Sequence, residues 1–407
     1  MSRLSEMIKK LCPNGVEYKR LGEIGEFYSG LSGKTKDDFT GGNAKFITYM
    51  NVYSNPALKV DVDDRVKISE GEKQNLVEYG DVLFTGSSET PDECGMSSVL
   101  TVETAEPIYL NSFCFGYRLY DKKLFEPDFL KHLFRSHELR AQIKRTASGV
   151  TRFNVSKVKM AKVAIPLPPL EIQREIVQIL DNFANLTAEL TAELAKRKKQ
   201  YEHYRDMLLN FTGGGRYDKF GVESCEFRVE WKRLGEIAEI GTGSSNTDEQ
   251  LEKGAYPFFV RSQEVRWKNE FEYDETAIIT SGDGVGVGKI FHFYEGKYAL
   301  HQRAYRIHVV SDDFLPKYVF YYMKNGFLKY IEKNAFQSSV TSIRRPMLLN
   351  FQLPLVPLAE QKRIVAILDR FDSLCNSLSE GLPAEIELRK KQYEYYRDKL
   401  LSFKEAG

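Results

Sequence analysis

Apolar residues recur at helical spacing along one long stretch near the middle of the chain. From Ile176 to Phe211 they alternate at steps of four and three residues, and only Thr187 and Arg197 interrupt the apolar series. A heptad pattern that lasts for about five repeats predicts a long amphipathic helix of the coiled-coil type. Paired prolines at 168–169 predict its start, and the glycines at 213–215 predict its end. At 1.5 Å per residue, a helix of about 44 residues spans roughly 65 Å.

A second stretch with the same apolar pattern runs from Ile364 to Phe403. Blocks that match the first stretch lie 188 residues away before Gly381 and 192 residues away after it, so residues are inserted there. Because proline has no N–H group to donate inside a helix, Pro383 cannot continue the pattern smoothly. We predict a kink or break at this point, with the helix restarting near Pro383.

Neither helix can bury so long an apolar seam alone, and each is the most economical partner for the other. We therefore predict an antiparallel, coiled-coil-like pair of helices. The predicted seam positions are Ile176, Leu180, Phe183, Leu190, Leu194, Tyr201, Tyr204, Leu208, Ile364, Leu368, Phe371, Leu378, Tyr393, Tyr396 and Leu400.

The two helices belong to an internal repeat. The matching blocks are YKRLGEI (18–24) with WKRLGEI (231–237), LPPLEIQREIV (167–177) with LVPLAEQKRIV (355–365), and RKKQYE (197–202 and 389–394). The segments between the blocks, about 25–150 and 238–340, match only at scattered positions. One module is therefore present twice, and its divergent inserts favour one architecture with two specificities over the simple drift of an old duplication.

The divergent inserts have the patterns of mixed α and β structure. Short runs rich in β-forming residues predict strands at 44–50, 81–85, 256–260 and 276–280, and helical stretches follow at 128–144 and 317–333. We therefore predict an α+β fold, in which two globular domains are separated by the two long helices as an internal pseudo-two-fold repeat. The predicted boundaries are 1–166 for the first domain, 167–212 for the first helical spacer, 213–354 for the second domain and 355–407 for the second spacer.

Composition narrows the classes of function. The 407 residues include 58 Lys and Arg against 57 Asp and Glu, a net charge of +1, which argues against a polybasic binder but leaves a locally basic nucleic-acid surface open. We find no signal-peptide pattern and no apolar run that suits a membrane span. The five cysteines are scattered without a CxxC pair. We therefore expect a cytoplasmic protein with no disulfide framework, no bound metal and no membrane contact.

The sequence lacks the common catalytic motifs. The glycine-rich segment 282–289 has Asp283 and Ile290 where a phosphate-binding P-loop requires glycine and Ser or Thr. HExxH, GxSxG and the Asn-Pro-Pro-aromatic motif of amino-methyltransferases are absent, and Pro91-Asp92 has no convincing Glu-x-Lys nuclease partner downstream. We expect no catalytic centre in this chain.

The order of the repeated blocks resembles that of the specificity subunits of type I restriction-modification systems. The resemblance covers essentially the whole chain and rests on PLPPLEIQREIVQILD, PLAEQKRIVAILD, the two RKKQYExYRDxLL blocks and the paired KRLGEI starts. It implies two target-recognition domains, each reading one half of a bipartite double-stranded DNA site, in a non-catalytic subunit. It also implies that two methyltransferase subunits and further restriction/translocase subunits are recruited. S-adenosylmethionine, ATP and Mg²⁺ would bind those partners rather than this chain.

Loops rich in Gly, Ser and Thr provide the candidate DNA contacts. Small residues let backbone amides approach phosphates, while Arg, Lys, Asn and Gln reach base edges. Each loop alone is typical of an ordinary turn, but the loops recur at equivalent places in both copies. The candidates are Lys34, Lys36, Thr85, Ser87, Thr151, Arg152 and Asn154 in the first domain, and Ser244, Ser245, Asn246, Arg261, Gln302, Arg303, Ser342, Arg344 and Arg345 in the second.

Two other functions stay open at this point. The first is a coiled-coil scaffold or interaction protein with two accessory domains and no DNA role. The second, a standalone restriction enzyme, is disfavoured by the missing catalytic motifs.

The predicted break near Pro383 also departs from a symmetric pair of helices and leaves the helix register open.

Overall fold

The computed structural model describes residues 3–211, 229–334, 342–377 and 381–407. They form two compact units, the first made of Met1–Leu190 with Glu385–Gly407 and the second of Thr191–Ala384. The first unit is thus assembled from two stretches that are distant in the sequence. Leu378 of the predicted seam lies outside the described residues.

The first unit is built from short strands and short helices. Its strands are β1 (Glu17–Arg20), β2 (Gly25–Ser29), β3 (Ala44–Ile47), β4 (Arg65–Val66), β5 (Val82–Thr85), β6 (Ser87–Ser88), β7 (Ser97–Val99), β8 (Ile108–Leu110), β9 (Cys114–Leu119), β10 (Ala147–Ser148), β11 (Phe153–Val155) and β12 (Ala164–Leu167). Its short helices are α1 (Arg3–Leu11), α2 (Leu21–Ile24), α3 (Tyr49–Ser54), α4 (Pro127–Leu133), α5 (His137–Lys144) and α6 (Lys157–Met160). The main sheet has the order β2-β9-β5-β7, and its buried Phe84 and Tyr117 belong to the same core as Phe129 of α4.

The helix α7 (Leu170–Leu208) follows, and the second unit contains a larger sheet. Its strands are β13 (Glu230–Arg233), β14 (Ala238–Thr242), β15 (Tyr256–Phe259), β16 (Arg266–Lys268), β17 (Tyr273–Ser281), β18 (Phe291–Leu300), β19 (Ala304–Val309) and β20 (Gln352–Leu355). Its helices are α8 (Leu234–Ile237), α9 (Pro316–Asn334), α10 (Arg345–Leu349) and α11 (Leu358–Asn376). The sheet order is β14-β19-β17-β18-β15-β16, and α9 packs over it through the buried Phe327 and Ile331.

The two units share one strand plan. β1 pairs with β12 as β13 pairs with β20, and β2 and β5 flank β9 as β14 and β17 flank β19. In each unit one parallel pair adds to this plan, β3 with β8 and β15 with β18. The predicted α+β repeat is therefore present in the structure, although the inserts share little sequence.

The second helical stretch is broken where the sequence predicts it. α11 ends at Asn376, and α12 (Leu382–Leu400) begins next to Pro383. Gly381 before it has a φ of +83°, which favours glycine, and an added Cβ would lie 2.6 Å from the carbonyl oxygen of Ser373. The break is therefore fixed by backbone geometry as well as by proline.

In the first unit, the first half of α7 packs with the later part of α12. Ile176 and Leu180 are fully buried in the same core as Leu401, with Tyr393 and Leu400 packed at its edge. The rings of Phe183 and Tyr396 stack with their centroids 5.2 Å apart. These contacts make the stretch 385–407 part of the first domain's core.

In the second unit, the later half of α7 packs with α11. Tyr201 and Tyr204 both contact the ring of Phe371, with centroids 6.0 and 5.6 Å away, and Leu208 shares a core with Ile364 and Leu368. Residues later in α7 therefore pack with residues earlier in α11, so the two segments run antiparallel. Leu190 and Leu194, in the middle of the predicted seam, are only half-buried.

A buried glutamine fastens α7 to the first domain. Gln173 is fully buried, and its amide nitrogen donates to the carbonyl oxygens of Leu124 (3.0 Å) and Pro168 (2.8 Å). Its amide oxygen accepts from the backbone N–H of Glu126 at 2.9 Å. The side chain therefore satisfies three backbone groups of the loop that leads into α4 and the turn that starts α7.

The repeat reproduces this arrangement in the second unit. Gln361 is also fully buried, donates to the carbonyl oxygens of Asp313 and Val356 at 2.8 Å each, and accepts from the N–H of Leu315 at 2.8 Å. The glutamine of each repeated block therefore has the same structural task.

A histidine forms a second link in the first unit. His132 of α4 is nearly fully buried and lies 2.8 Å from a carboxylate oxygen of Asp181 and 2.9 Å from the hydroxyl of Tyr393. Lys131 also contacts Asp181, at 2.9 Å. Burial lowers the pKa of His132 although the hydrogen bond to Asp181 opposes that effect. A neutral ring therefore donates to Asp181 and accepts from Tyr393.

The predicted helix at 128–144 is interrupted, whereas the one at 317–333 is continuous as α9. Helices α4 and α5 are separated at Ser136, whose backbone is extended, and the guanidinium group of the neighbouring Arg135 donates to the carbonyl oxygens of Ser97 and Tyr53. Ser136 folds back onto the carbonyl oxygen of Leu133 at 2.7 Å. Two residues of the predicted strand 44–50, Tyr49 and Met50, instead begin α3.

No helix in the described part of the chain combines the length and apolar character that crossing a membrane requires.

Candidate nucleic-acid interface

Three chain segments meet at one edge of the first domain. The N–H of Gly86 donates to the carbonyl oxygen of Phe113 at 2.8 Å, and the carbonyl oxygen of Gly86 accepts from Val155 at 2.9 Å. A Cβ on Gly86 would lie 2.8 Å from the oxygen of Phe113, so the backbones approach too closely for a side chain. Ser87 follows directly and is held beside both neighbouring segments.

The same junction exists in the second domain. The N–H of Gly282 donates to the carbonyl oxygen of Arg303 at 2.8 Å, and its carbonyl oxygen accepts from Ile343 at 2.7 Å. A Cβ here would lie 2.5 Å from the oxygen of Arg303. Asp283 therefore occupies the position that Ser87 has in the first domain, and Arg303 occupies that of Phe113.

Arg152 is the central charged group of the first junction. Its Nε and Nη2 atoms donate to the hydroxyl of Ser87 at 3.1 and 2.9 Å, and its guanidinium group lies over the ring of Phe113, 5.7 Å from the centroid. The hydroxyl of Tyr49 donates to the carbonyl oxygen of Ser87 at 2.9 Å. Phe113 is 58% exposed, so this junction presents an aromatic face beside a positive charge.

The other candidates of the first domain differ in exposure. Thr151 and Asn154 are exposed on the β10–β11 hairpin, and Lys36 is exposed in a short 3₁₀ helix. Thr85 is fully buried, and its hydroxyl accepts from the N–H of Met96 at 2.9 Å. Thr85 therefore supports the loop and is not available to a ligand, which corrects its place among the candidates.

Lys34 is also engaged inside the protein. Its ammonium group contacts Glu72 at 2.6 Å and the carbonyl oxygen of Lys67 at 2.6 Å, and its side chain is largely buried. The hydrogen bond from Lys34 is the first of several that lower the pKa of Glu72 to about 2. In this arrangement Lys34 closes a surface loop rather than presenting a free charge.

The second junction contains a carboxylate between two arginines. Arg261 donates from Nη1 to one oxygen of Asp283 at 2.8 Å, and Arg303 donates from Nη1 to the other at 3.1 Å. Burial alone would raise the pKa of Asp283, but the hydrogen bonds and charges of both arginines hold that pKa below its usual value. The carboxylate therefore stays ionised, and the three side chains keep a net positive charge.

A polar network supports the neighbouring loop. The hydroxyl of Ser245 donates to Glu272 at 2.5 Å and accepts from Lys268 at 2.8 Å, and the N–H of Ser244 also donates to Glu272, at 2.9 Å. Ser245 is almost fully buried, so of this pair only Ser244 is exposed. Ser245 therefore shapes the loop rather than contacting a ligand directly, which corrects its place among the candidates.

The turn that carries Gln302 and Arg303 is held from below. Gln302 donates from its side chain to the side-chain oxygen of Asn246, and its N–H donates to the carbonyl oxygen of Ser245 at 2.9 Å. The buried His301 accepts from the N–H of Arg303 at 3.0 Å through Nδ1, which leaves Nε2 facing the hydroxyl of Thr247 at 3.1 Å.

The last candidates lie on the third segment of the second junction. Ser342 pairs with Asp283 in an isolated β-bridge, and Arg344 and Arg345 follow at the start of α10. All three are exposed. The structure thus places Arg261, Arg303 and Ser342 around Asp283 at the same end of the sheet.

The sequence pointed to the arginines but missed the groups that organise them. Asp283 was visible only as the residue that spoils a P-loop pattern, and Phe113 and Tyr49 carried no loop signal. The sequence signal for Asp283 is its place between Gly282 and Gly284, because Gly282 must pass close to the backbone of Arg303. The exposed groups together present hydrogen-bond donors, acceptors and an aromatic face, which suit base edges rather than covalent chemistry.

Comparison with known proteins identifies the family of the chain. The family model for the type I restriction modification DNA specificity domain matches residues 13–197 and 228–388. The specificity subunit of the type I restriction enzyme EcoR124I/EcoR124II from Escherichia coli is 36% identical over 61% of this chain and 65% of its own length. A putative type I specificity subunit from Haemophilus influenzae is 32% identical over 63% of this chain and 68% of its own. The chain thus matches just under two thirds of the E. coli relative.

Solved structures share the fold over nearly the full length. The S subunit of a type I restriction-modification system from M. genitalium superposes with a TM-score of 0.56 at 15% identity, covering 95% of this chain and 96% of its own. The HsdS subunit from Thermoanaerobacter tengcongensis gives 0.52 at 20% identity, covering 96% and 97%. These structures show the shared fold, while the match to the DNA specificity family model disfavours the scaffold alternative.

Proposed function

We propose that this chain, which belongs to the type I restriction-modification DNA specificity family, reads a bipartite sequence on double-stranded DNA. Each domain reads one half-site through the junction that follows β5 or β17. The coarse function, a specificity component of a restriction-modification system, follows from the family. The assignment of one half-site to each junction is our own inference.

One observation carries this proposal. The two junctions have the same backbone frame, with Gly86 and Gly282 in equivalent hydrogen bonds, but different side chains at matching positions. Ser87 in one domain corresponds to Asp283 in the other. Base edges differ mainly in their pattern of hydrogen-bond donors and acceptors. Two domains that recognise different base sequences therefore need the same backbone frame with different donor and acceptor side chains. Each mismatched pair typically costs about 1–3 kcal/mol, so two short half-sites together give useful discrimination.

We further propose that the chain has no catalytic centre and recruits its enzymes. Two methyltransferase subunits and restriction/translocase subunits would bind S-adenosylmethionine, ATP and Mg²⁺, in the cytoplasm where the DNA is. The exposed apolar residues of α12 support a docking face for one of these partners, because Leu388 and Tyr395 are 55% and 60% exposed on one side of the helix. With a net charge of only +1, the chain alone would hold DNA weakly and depend on its partners for phosphate contacts.

Methylation mapping tests the DNA-reading proposal. Methylated adenines would be mapped across the genome with this gene present and with it deleted. We expect one bipartite motif to lose methylation on deletion. If every methylated motif persists without the gene, the proposed function is wrong.

Co-purification tests the docking proposal. A double variant, Leu388→Asp with Tyr395→Ala, should lose the methyltransferase subunit when the complex is purified. Deletion of the whole stretch 389–403 is less informative, because Leu400 and Leu401 belong to the core of the first domain. Val310→Asp, at an exposed apolar residue of the second domain, is the matched control. A stoichiometric complex with the double variant contradicts this docking face.

A further inference from the structure

We propose that the second domain reads guanine in its half-site through Arg261 and Arg303, each arginine facing one guanine, and that Asp283 is the positioning residue that holds both guanidinium groups. This inference rests on the proposed function and names the base that one junction recognises. It assigns three residues of one cluster to one base-reading task.

The hydrogen bonds leave the relevant donors of both arginines available. Each arginine contacts Asp283 through Nη1. Within the described residues, the Nε and Nη2 atoms of Arg261 and Arg303 make no hydrogen bond to the protein. These two nitrogens lie on one side of a guanidinium group and form a planar two-donor fork. The side chains are 40% and 61% exposed, so both forks are accessible.

The first domain provides an internal contrast. Arg152 spends the same Nε and Nη2 pair on the hydroxyl of Ser87 and lies over Phe113. Its two-donor fork is therefore occupied inside the protein. In the second domain Asp283 leaves both forks free. Each of its carboxylate oxygens accepts a single Nη1 donor, one from Arg261 and one from Arg303, and no further donor of either arginine is used.

Base chemistry selects guanine as the match. In the major groove only guanine presents two adjacent acceptors, O6 and N7, whereas adenine pairs its N7 with a donor. An arginine has donors and no acceptor, so it cannot satisfy the amino group of adenine or cytosine. The cluster keeps a net positive charge, which favours acceptor atoms.

The carboxylate is fixed firmly enough to act as a template. The hydroxyl of Ser281 donates to the carbonyl oxygen of Asp283 at 2.8 Å, and Gly282 is bonded on both sides, to Arg303 and Ile343. His301 holds the N–H of Arg303 at 3.0 Å. Both forks are therefore oriented before DNA arrives, which reduces the entropy lost on binding.

To test this inference, the full complex would be expressed with variants of this chain, and the DNA motif that each complex methylates would be mapped. Arg261→Lys and Arg303→Lys keep the positive charge but remove the planar fork. Asp283→Asn keeps the shape but weakens the hold on both arginines. The matched control is Asp312→Asn, an exposed aspartate beyond the opposite end of β19. Each purified complex would also be tested on duplexes in which single G·C pairs of the second half-site are replaced by A·T.

For the wild type and the control, we expect loss of one guanine to reduce methylation by about 10- to 100-fold. Each Arg→Lys variant should largely lose discrimination at one guanine position, and Asp283→Asn should weaken it at both. The first half-site should be read unchanged in all three variants. A merely structural defect would lower methylation of all sites together. The inference is overturned if both Arg→Lys variants keep the full motif and its discrimination. Absence of any bipartite motif in the wild type would instead overturn the proposed function.

Discussion

Replacing the buried glutamine of the first repeat with leucine tests how the domain is fastened to α7. Gln173→Leu keeps the approximate volume but leaves the N–H of Glu126 and the carbonyl oxygens of Leu124 and Pro168 without their partner. A typical hydrogen bond contributes about 1 kcal/mol net, and each orphaned buried group costs about 1–3 kcal/mol. Three orphaned groups at the lower end of this range give an expected fall in the free energy of unfolding of about 3 kcal/mol.

Urea denaturation of the purified chain measures this loss. With an m-value of about 3 kcal/mol/M, the midpoint of the affected transition should fall by about 1 M without a change of slope. The control is Gln178→Leu, at an exposed position of α7 less than two turns away, where we expect less than about 0.5 kcal/mol. Gln361→Leu should produce a similar loss in the second unit. If Gln173→Leu shifts the midpoint no more than the control does, the fastening role is refuted.

Three further predictions follow from single side chains. Arg152→Ala and Arg344→Ala should each weaken binding of the assembled complex to its target duplex by about 1–3 kcal/mol in a fluorescence-anisotropy titration, and unchanged affinity in both would remove them from the interface. Burial lowers the pKa of His132, so the unfolded chain binds a proton at this residue more readily than the folded chain does. The stability that the neutral His132 contributes is therefore complete above its ordinary pKa near 6.5 and is lost as the pH falls below that value. His132→Gln should therefore flatten the slope of unfolding free energy between about pH 5 and 7, and identical slopes would contradict this. Gly381→Ala should destabilise the protein by about 1–3 kcal/mol because of the positive φ at this position. Gly326→Ala, inside α9, should instead stabilise it by up to about 1 kcal/mol. Thermal melts in which both variants shift the melting temperature in the same direction would contradict this difference in backbone geometry.

The framework of the fold could be predicted because it depends on local, periodic signals. A heptad pattern from Ile176 onward specifies α7 without knowledge of its partner, and Pro383 after a glycine specifies the break before α12. The duplicated blocks then require both domains to follow one plan. Local patterns failed at 128–144, where the backbone of Ser136 is extended between two short helices and the neighbouring Arg135 bonds to the distant Ser97 and Tyr53.

The candidate site was harder to predict for the same reason. Arg261 and Arg303 are distant in the sequence and share Asp283 only because β15 pairs in parallel with β18. Thr85 illustrates the opposite error, since loop composition cannot tell an exposed hydroxyl from one that is buried at the end of a strand. Residue type suggested which side chains could contact DNA, but the sheet decides which of them face outward.

The discontinuous first unit has a consequence for the order in which the protein folds on the ribosome. Its core needs Leu401, and Val16 and Tyr18 bond to Lys404 and Phe403 at 2.8 and 3.0 Å. At about 5–20 residues per second, synthesis of the intervening stretch takes about 10–40 s. The domain that is translated first is therefore completed last, and its part of α7 keeps an apolar face uncovered in the meantime. Slowing translation within the second domain should prolong this interval and increase aggregation of the nascent chain.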